Sequence, residues 1–236
     1  MSDLQKAGSV KSLSEITADR MISHIVSRGY KKGDKSSNEK SLCEELGVGR
    51  STLREAVRML ASRNILTVRH GSGIYISDKL GIPDDPLGFT FVQDKKKLVY
   101  DLLGFRRIIE PPITALAASN ATDEQISSLE EIEKRIEGQI NSGAPHLNDD
   151  AAFHSAIGEM SGNIVMPKIG PIIYNAIDLF INVTGSVLRE ETINDHRAVL
   201  DAIKRHDSML ASDAMLLHII HNREVIERIM EYAPLS

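Results

Sequence analysis

The stretch EKSLCEELGVGRSTLREAVRMLASRNILTVRHGSGIYI, residues 39–76, decides how the N-terminal part of this chain folds. A short amphipathic pattern over 39–46 stops at Gly47, which predicts a helix that ends in a glycine turn. A second helical pattern begins directly after the turn, and we predict that the hydroxyl of Ser51 caps it. Its apolar residues recur at helical spacing and share one face: Leu53, Ala56, Val57 and Leu60. The stretch therefore predicts two helices joined by a tight turn.

The sequence on either side of these two helices completes a small domain. Residues 13–27, LSEITADRMISHIVS, carry apolar residues at helical spacing and predict an amphipathic helix. Residues 65–77, ILTVRHGSGIYIS, change to β-branched and aromatic residues around Gly71 and Gly73. These glycines favour a tight hairpin, or wing, because glycine readily adopts positive φ. We predict three helices and a β-hairpin over residues 1–77.

The rest of the chain has a different, helical pattern. Residues 78–95 contain two prolines and two glycines without sustained periodicity, which is typical of a connector between domains. Beyond it every strong segment predicts a helix: 96–118, 123–141, 147–160, 163–183, 190–205 and 208–231. Thr122 and Gln125 have the spacing of a capping box, and helices should be kinked or restarted at the prolines 111, 112, 167 and 171. We predict an all-α bundle over 96–236.

Composition and charge limit the class of protein. The chain has 236 residues, of which 42% are hydrophobic and 26% charged, and it has neither an apolar N-terminal run nor eighteen successive apolar residues. We therefore expect a cytoplasmic protein with no membrane partner. Lys and Arg outnumber Asp and Glu by 14 to 9 in residues 1–80, whereas the acidic residues prevail by 24 to 14 in 81–236. A basic segment joined to an acidic body favours a polyanion as the partner of that segment.

Residues 33–76 resemble the winged helix-turn-helix of the GntR superfamily over nearly their whole length. Three parts carry the likeness in order and at short spacing: the turn LGVGR at 46–50, the helix STLREAVRMLASRNIL at 51–66 and the wing HGSGIYI at 70–76. The resemblance implies a domain that binds double-stranded DNA and places the second helix of the pair in the major groove.

The residues expected to contact DNA lie around the turn and the wing. By resemblance they are Lys40, Arg50, Thr52, Arg54, His70 and Gly71, to which the first turn of the second helix adds Ser51. These residue types suit the task, because arginine can bond guanine with two donors and serine or threonine can bond phosphate or base edges. Lys40 departs from the family, which more often has arginine there, and lysine keeps the charge but lacks the bidentate fork. Three more arginines are expected on phosphates or as ordinary surface charges: Arg58, Arg63 and Arg69.

The C-terminal part resembles the FadR-type ligand-binding domain called FCD. The likeness begins at FRRIIEPPITALAASNATDEQ, residues 105–125, where Arg106, Glu110 and the proline after it open the first helix of the bundle. The i, i+4 spacing of Arg106 and Glu110 also suits a salt bridge of a few tenths of a kcal/mol. In relatives that bind small acids the equivalent arginine holds a carboxylate, so the resemblance assigns this role to Arg106. Asn163 is a second candidate, either for contact with the effector or for the cap of the next helix.

Resemblance to metal-containing FCD domains also implies a metal site. It assigns one aspartate and three histidines to the ion: Asp150, His154, His196 and His218. Asp150 and His154 lie four residues apart on one helix face, which suits two ligands of a single divalent ion. Imidazole and carboxylate without thiolate suit zinc, nickel or manganese, and zinc is the expected metal. Asp149 and His221 remain alternatives to their neighbours, whereas three histidines match nothing in the family: His24, His146 and His206.

Together these features predict a transcriptional repressor of the FadR subfamily. We expect a homodimer that binds a pseudo-palindromic operator, and an effector that is a small carboxylate, either an organic acid or a sugar acid. Effector binding should change the separation or orientation of the two DNA-binding domains. One alternative is a metal-free regulator for an acyl-CoA-like ligand, which the four metal-type residues argue against.

Another alternative belongs to a different class of protein, a metallohydrolase with a DNA-binding appendage. Three protein ligands and an open position would also describe a catalytic zinc. The sequence has neither an HExxH motif nor a serine or cysteine paired with a base in a recognisable motif. We therefore do not expect an enzyme.

Overall fold

The computed structural model describes residues 11–83, 85–184 and 190–232. The chain divides into two compact units, Met1–Pro86 and Leu87–Ser236, and their boundary falls inside the stretch predicted as a connector. No helix among the described residues is long and apolar enough to cross a membrane.

The first unit has the predicted order of three helices and a hairpin. Its elements are α1 (Leu13–Ser27), α2 (Glu39–Leu46), α3 (Arg50–Ser62), β1 (Leu66–Arg69) and β2 (Gly73–Ile76). Ser12 and Glu15 form a capping box at the start of α1, and the side chain of Asn38 caps α2. Gly47 ends α2 with a φ of 65°, in the left-handed region that glycine adopts without strain. The turn between α2 and α3 is therefore fixed by local chemistry.

The start of α3 differs from the prediction. The helix begins at Arg50, and its N-cap is Gly49, which has no side chain to bond the first turn. Ser51 lies within that first turn, so the prediction that Ser51 caps the helix is wrong. Because no side chain covers them, the first amides of α3 remain open to an anion approaching from outside.

The hairpin has the predicted antiparallel pairing. Leu66 lies opposite Ile76 at its base, and Arg69 lies opposite Gly73 next to its tip. Gly71, in the connecting loop, has a φ of 72°. Glycine tolerates this conformation because it has no Cβ, so the tip can stay short.

A third segment joins the hairpin, which the sequence did not predict. Lys35 forms an isolated antiparallel bridge with Tyr75, and the amide of Ser36 donates to the carbonyl of Ile74 at 2.8 Å. The polar segment that precedes α2 is therefore fastened to the wing by backbone hydrogen bonds.

One apolar core joins the three helices and the hairpin of the first unit. Its largest fully buried side chains are Met21, Leu42, Leu53 and Leu60, and the hairpin adds Leu66 and Ile76. Each fully buried large apolar side chain contributes about 1.5–3 kcal/mol. This core holds α3 against α1 and leaves the opposite face of α3 in solvent.

The second unit is a helical bundle. Its elements are a short 3-10 helix (Phe89–Phe91) and the helices α4 (Lys95–Asn120), α5 (Asp123–Ser142), α6 (Leu147–Met160), α7 (Met166–Thr184), α8 (Glu190–Lys204) and α9 (Ser208–Tyr232). The capping box of Thr122 and Gln125 is present at the start of α5, as predicted.

The sequence predicted that each proline of this unit kinks or restarts a helix, and the structure excludes a restart at three of the four. Helix α4 runs without a break through Pro111 and Pro112, and α7 does so through Pro171, so none of these three restarts a helix. Only Pro167 lies where a helix begins, next to Met166 in the first turn of α7, where proline lacks no needed donor.

The packing of the bundle brings four helices around one buried region. Helix α6 packs against α4, α5 and α7, while α9 packs along both α4 and α8. The main core is apolar and includes Leu129, Phe153, Ile203 and Met215. Polar residues on the inner faces of α4, α6, α8 and α9 are buried next to this core, where they must satisfy one another.

Candidate DNA-binding surface and metal centre

Helices α2 and α3 present the predicted DNA contacts to solvent. Lys40 of α2 is exposed, and so are Arg50, Ser51 and Arg54 on the first turns of α3, while Thr52 is half-buried. The N-terminus of α3 carries these residues because Leu53 and the other apolar residues of that helix turn towards the core. The helix thus offers a basic and hydroxylic end, which suits insertion into the major groove.

The wing lies beside this end of α3 across a concave surface of about 580 Å³. Arg54 lines the surface from α3, and His70 and Gly71 line it from the wing. These three residues were each predicted to contact DNA, and although they come from separate parts of the sequence, they border one groove.

Two further cations belong to this surface and share one aromatic ring. Nζ of Lys35 lies 5.9 Å and Cζ of Arg69 lies 4.3 Å from the ring centroid of Tyr75, which attracts both charges. Ser72 bonds the hydroxyl of Tyr75 at 2.6 Å. Sequence reasoning left Lys35 out, because its place depends on the unpredicted bridge to the wing; Arg69 was predicted only as a phosphate contact or surface charge.

In the bundle, three predicted metal ligands come together. The side chains of His154, His196 and His218 are almost completely buried, and one ring nitrogen of each lies within 4.8 Å of the others. They come from α6, α8 and α9. Nε2 of His154 and Nε2 of His218 are 3.2 Å apart.

Asp150 faces this cluster, and its rival Asp149 does not. One carboxylate oxygen of Asp150 lies 3.4 Å from Nε2 of His196, and the other lies 3.9 Å from Nε2 of His154. Asp149 instead accepts from Arg135 at 3.0 Å and from Gln139 at 2.7 Å on α5. Of the two neighbouring aspartates, only Asp150 is within reach of an ion at the histidines.

His221 is likewise turned away from the cluster centre. Its Nδ1 lies 2.9 Å from a carboxylate oxygen of Asp195, and 43% of its side chain is exposed. The same carboxylate lies 3.7 Å from Nδ1 of His218. Asp195 therefore stands behind His218, and the Nε2 atom of His218 points inward.

A second carboxylate stands behind His154. Oε2 of Glu110 lies 2.9 Å from Nδ1 of this ring. Carboxylates at the outer nitrogen of a histidine fix its tautomer and orientation and make it a better metal ligand. Glu110 lies close enough to His154 for this relation, whereas Asp195 lies farther from His218, at 3.7 Å; the family resemblance named neither for it.

Arg106 is buried in the same cluster. It forms a two-donor ion pair with Glu110, as the i, i+4 spacing predicted, and its Nη2 donates to Nε2 of His154 at 2.8 Å. Its Cζ also lies 5.2 Å from the ring centroid of Tyr174. Burial alone would raise the pKa of Glu110, but Arg106 and then His154 lower it to about 2. A charged pair thus lies at the edge of the histidine cluster.

Lowered pKa values favour the neutral ring in two of the three histidines, His196 and His218. Burial, together with the other two histidines of the cluster, lowers the pKa of His196 well below its ordinary value. Burial also lowers the pKa of His218, although Asp195 opposes this effect. Neutral imidazole is the form that ligates metals.

The polar atoms of the cluster fit a metal ion. Both ring nitrogens of His196 are buried without a hydrogen-bond partner. Arg106 and Asn222 donate to Nε2 of His154 and to Nε2 of His218, so both Nε2 atoms are unprotonated and would offer a lone pair to a metal once these donors turn away. Two lone pairs 3.2 Å apart repel unless a cation lies near both, and ligand nitrogens of one zinc are separated by roughly 3.0–3.4 Å.

Two other polar residues of the bundle have different positions, Asn163 being exposed and His146 buried. Oδ1 of Asn163 accepts from the amides of Val165 and Met166, so its side chain caps α7, one of its two predicted roles. Its contact with an effector stays a prediction. His146, which matched nothing in the family, is 4% exposed, and its Nδ1 has no hydrogen-bond partner. Its signal in the sequence is only its place just before the acidic start of α6.

The first unit is a winged helix-turn-helix with an exposed basic helix end, and the chain continues into a helical bundle with a buried polar centre. This combination defines the class of DNA-binding transcription regulators. Residues 13–76 match the bacterial regulatory proteins of the gntR family, and residues 101–221 match the FCD domain. The chain belongs to the GntR family and carries an FCD domain, as the resemblances predicted.

Individual proteins agree with this assignment. The chain is 28% identical over 219 residues to the Uxu operon transcriptional regulator of Escherichia coli K12, and the aligned part covers 89% of this chain and 83% of that protein. It is 26% identical over 223 residues to the transcriptional repressor NanR of the same strain, covering 89% and 82%. A solved structure of Streptococcus agalactiae GntR is 43% identical, with a TM-score of 0.81 over 89% of this chain and 99% of that one.

These relatives and families are FadR-type transcription regulators and not enzymes. The GntR domain implies that the first unit binds DNA, and the FCD domain implies that the second responds to a small molecule. The three-histidine cluster can hold a metal ion.

Proposed function

We propose that this protein is a homodimeric repressor whose affinity for its operator is controlled by a small carboxylate, an organic acid or a sugar acid, held beside a divalent metal in the bundle. The observation that carries the proposal is the convergence of three buried histidines, Asp150 and Arg106 in one region of the second unit.

The metal is proposed to be held by His154, His196 and His218, with Asp150 as the fourth protein ligand. All four offer nitrogen or oxygen donors, which suits zinc first and nickel or manganese as alternatives. A divalent ion bound there supplies a Lewis-acidic position for one oxygen of a carboxylate. The absence of thiolate ligands keeps the site open to several metals of the same charge.

Arg106 is proposed to bind the carboxylate of the effector. Its guanidinium is buried, and because water is largely excluded there, its attraction for an anion is stronger than at the surface. Glu110 holds one side of the guanidinium, which fixes its plane, and Nη2 faces the histidine cluster. Recognition of a small acid would therefore draw on a buried cation in addition to the metal.

The first unit is proposed to bind DNA through the end of α3, the start of α2 and the wing. Arg50 and Arg54 would contact base edges or phosphates of the major groove, with Lys40, Ser51 and Thr52 beside them. His70 and Gly71 would contact the adjacent backbone or minor groove. The open amides at the start of α3 suit a phosphate oxygen.

Two copies of the chain are proposed to pair, so that two such units meet the two halves of a pseudo-palindromic operator. Helix α4 carries an exposed apolar stripe that could form a two-fold interface: Phe105, Ile108, Pro112 and Leu116. Ile108 is 73% exposed, which is unusual for a large apolar side chain inside a long helix.

Control of DNA binding requires that the effector bind the DNA-competent and DNA-incompetent arrangements with different affinity. As a repressor, the protein would release its operator when the effector binds. A change of 1–3 kcal/mol in coupling free energy, or roughly 5–150-fold in affinity, is the usual range for such control.

Elemental analysis and fluorescence anisotropy test the proposal. Purified without chelator, the full-length protein should contain one divalent metal per chain, and His154→Ala should lose it while His24→Ala, a matched change in the first unit, keeps it. The wild-type protein should bind a duplex selected from a random pool, and Arg54→Ala should bind it more weakly at physiological salt.

The effector is tested by native mass spectrometry of the purified protein and by a panel of organic and sugar acids added to the DNA complex. At least one acid should lower DNA affinity for the wild type and have no effect on His154→Ala. The sensor assignment is wrong if no transition metal is found or if His154→Ala keeps wild-type metal content. The DNA assignment is wrong if Arg54→Ala binds as tightly as the wild type.

A further inference from the structure

Arg54, a proposed DNA contact, is held by a carboxylate that neither the sequence nor the family resemblance singled out. Nε and Nη2 of Arg54 lie 3.3 and 3.2 Å from the same oxygen, Oε2 of Glu39. Arg54 is in the second turn of α3, and Glu39 is the first residue of α2. The contact therefore crosses the helix-turn-helix, and it is made at the concave surface next to the wing.

Stability gives only a small reason for an acidic residue at this place: Glu39 lies in the first turn of α2, where a carboxylate contributes about 0.3–1 kcal/mol through the helix dipole. The two side chains are 62% and 43% exposed, and exposed ion pairs contribute only about 0–1 kcal/mol. The surrounding surface otherwise carries the cations Lys35, Arg69 and His70 if protonated. A carboxylate here opposes the attraction of the surface for any DNA backbone, because it adds negative charge next to phosphates.

We propose that Glu39 is a specificity-determining residue of the DNA-binding unit. Glu39 bonds the edge of the Arg54 guanidinium that is formed by Nε and Nη2. The second edge, formed by Nη1 and Nη2, is thereby directed away from α2. That edge keeps the two parallel donors that recognise the O6 and N7 atoms of guanine. This inference rests on the proposed role of Arg54 in DNA binding.

The same contact penalises binding to the wrong sequence. On DNA without a guanine in reach, Arg54 can gain a partner only by turning to a phosphate, which separates it from Glu39. Glu39 then remains as an unpaired carboxylate close to the backbone. On the correct sequence the pair stays intact, so Glu39 raises the ratio of specific to nonspecific affinity more than it raises affinity itself.

The chain offers a matched control on the same helix. Glu45 lies near the end of α2 and pairs with Arg28 at 3.1 Å and with His24 at 3.5 Å. Glu45→Gln changes the net charge of the unit by the same amount as Glu39→Gln but leaves Arg54 untouched. General charge effects on DNA binding are therefore separable from the effect on Arg54.

The experiment measures anisotropy of two duplexes, one selected from a random pool by the wild-type protein and one of the same composition with its sequence shuffled. Glu39→Gln should bind the shuffled duplex more tightly and lower the ratio of the two affinities by about tenfold, within the range of one bidentate base contact. Glu45→Gln should leave the ratio unchanged. Glu39→Asp, which keeps the charge but shortens the side chain, should also lower the ratio.

A double-mutant cycle completes the test. In an Arg54→Ala background, Glu39→Gln should have no further effect on the ratio, because Glu39 acts through Arg54. The inference is overturned if Glu39→Gln changes the ratio no more than Glu45→Gln, if Glu39→Asp matches the wild type, or if the effect persists without Arg54. If the wild type selects no duplex at all, the proposed DNA-reading role fails, and the inference fails with it.

Discussion

Nη2 of Arg106 lies 2.8 Å from Nε2 of His154, so a guanidinium and a candidate metal ion compete for one lone pair. Both cannot use it at once, because the donated proton and the metal would occupy the same direction. A metal bound at His154 would therefore need Nη2 of Arg106 to turn away, and the freed donor would then be available to the carboxylate of an effector. The pair would thereby link metal content to the readiness of Arg106 for the proposed carboxylate.

Arg106→Met should bind metal more tightly and lose its response to the effector. The substitution removes both the competing donor and a positive charge beside the site, and we expect the affinity for zinc to rise by at least about tenfold. Competition with a chromogenic chelator measures this affinity. Arg107→Met, at the exposed neighbouring position, should have no effect. Weaker zinc binding in Arg106→Met would mean that the arginine supports the site and does not compete with it.

Asp195→Asn should weaken metal binding although Asp195 is not a ligand. Its carboxylate lies behind His218, and loss of such an outer partner lowers metal affinity by about 10–100-fold. The same chelator competition gives the affinity. Asp201→Asn, an exposed position on the same helix, is the control. Equal affinities for the two variants would remove Asp195 from the site.

The metal-free protein should lose stability as the pH falls from 7.5 to 5.5. The pKa values of His196 and His218 are lowered in the folded state, so below about pH 6.5 the unfolded chain takes up protons that the folded chain refuses. Their contribution is fully present above that pH, and it falls by up to about 1.4 kcal/mol per histidine for each pH unit below it.

Urea unfolding after chelator treatment measures this dependence. The carboxyl groups with lowered pKa, Glu110 and Asp195, act only at lower pH and do not obscure this window. His196→Leu, which has no ionisable group, should show a smaller loss over the same range. Stability that stays constant or increases towards pH 5.5 contradicts the burial of neutral histidines.

Gly47→Ala should destabilise the first unit by about 1 kcal/mol, because its φ of 65° is unfavourable for any residue with a Cβ. No atom lies within 4 Å of the added methyl group, so the loss would come from the backbone alone. Gly138→Ala, inside α5 and equally open, should instead be stabilising by about 0.5–1 kcal/mol. Thermal unfolding followed by circular dichroism compares the two, and effects of the same sign would contradict the conformational explanation.

Local signals explain why much of the fold could be predicted from the sequence. The predicted bounds of α1 and α2 agree with the structure, because a glycine and a change of pattern mark their ends. The capping box at Thr122 is another signal confined to four residues. Such features act within one turn of helix and leave their trace in adjacent letters.

Local preference alone did not decide several features. The sequence left open whether Pro111 and Pro112 kink or restart a helix; each removes a helical donor, at about 3 kcal/mol in a helix interior, yet α4 does not restart, because its residues on both sides are buried against other helices. Ser51 seemed a better cap than Gly49 by residue type, but the chain turns into the helix two residues earlier. The bridge of Lys35 to the wing leaves no periodic trace in a polar segment.

The candidate metal site likewise contains residues that the sequence could indicate and residues that it could not. Asp150 and His154 could be paired from their spacing on one helix, and family resemblance added His196 and His218. The carboxylates behind the histidines could not be found in this way, because Glu110 lies 2.9 Å from His154 but 44 positions away in the sequence. Contacts of this kind depend on how two helices pack, which the sequence of either helix does not contain.

Ile108→Glu should convert the proposed dimer to a monomer. Burying an isoleucine contributes about 1.5–3 kcal/mol, and a two-fold interface contains the residue twice, so the dissociation constant should rise by at least about 100-fold. Analytical ultracentrifugation across a concentration series measures it. Ile164→Glu is the matched control, since Ile164 is 86% exposed but lies outside α4. If Ile108→Glu and Ile164→Glu sediment alike, the stripe on α4 is not the interface. If only Ile108→Glu dissociates, its DNA binding should also weaken, because the two half-sites then bind two separate chains.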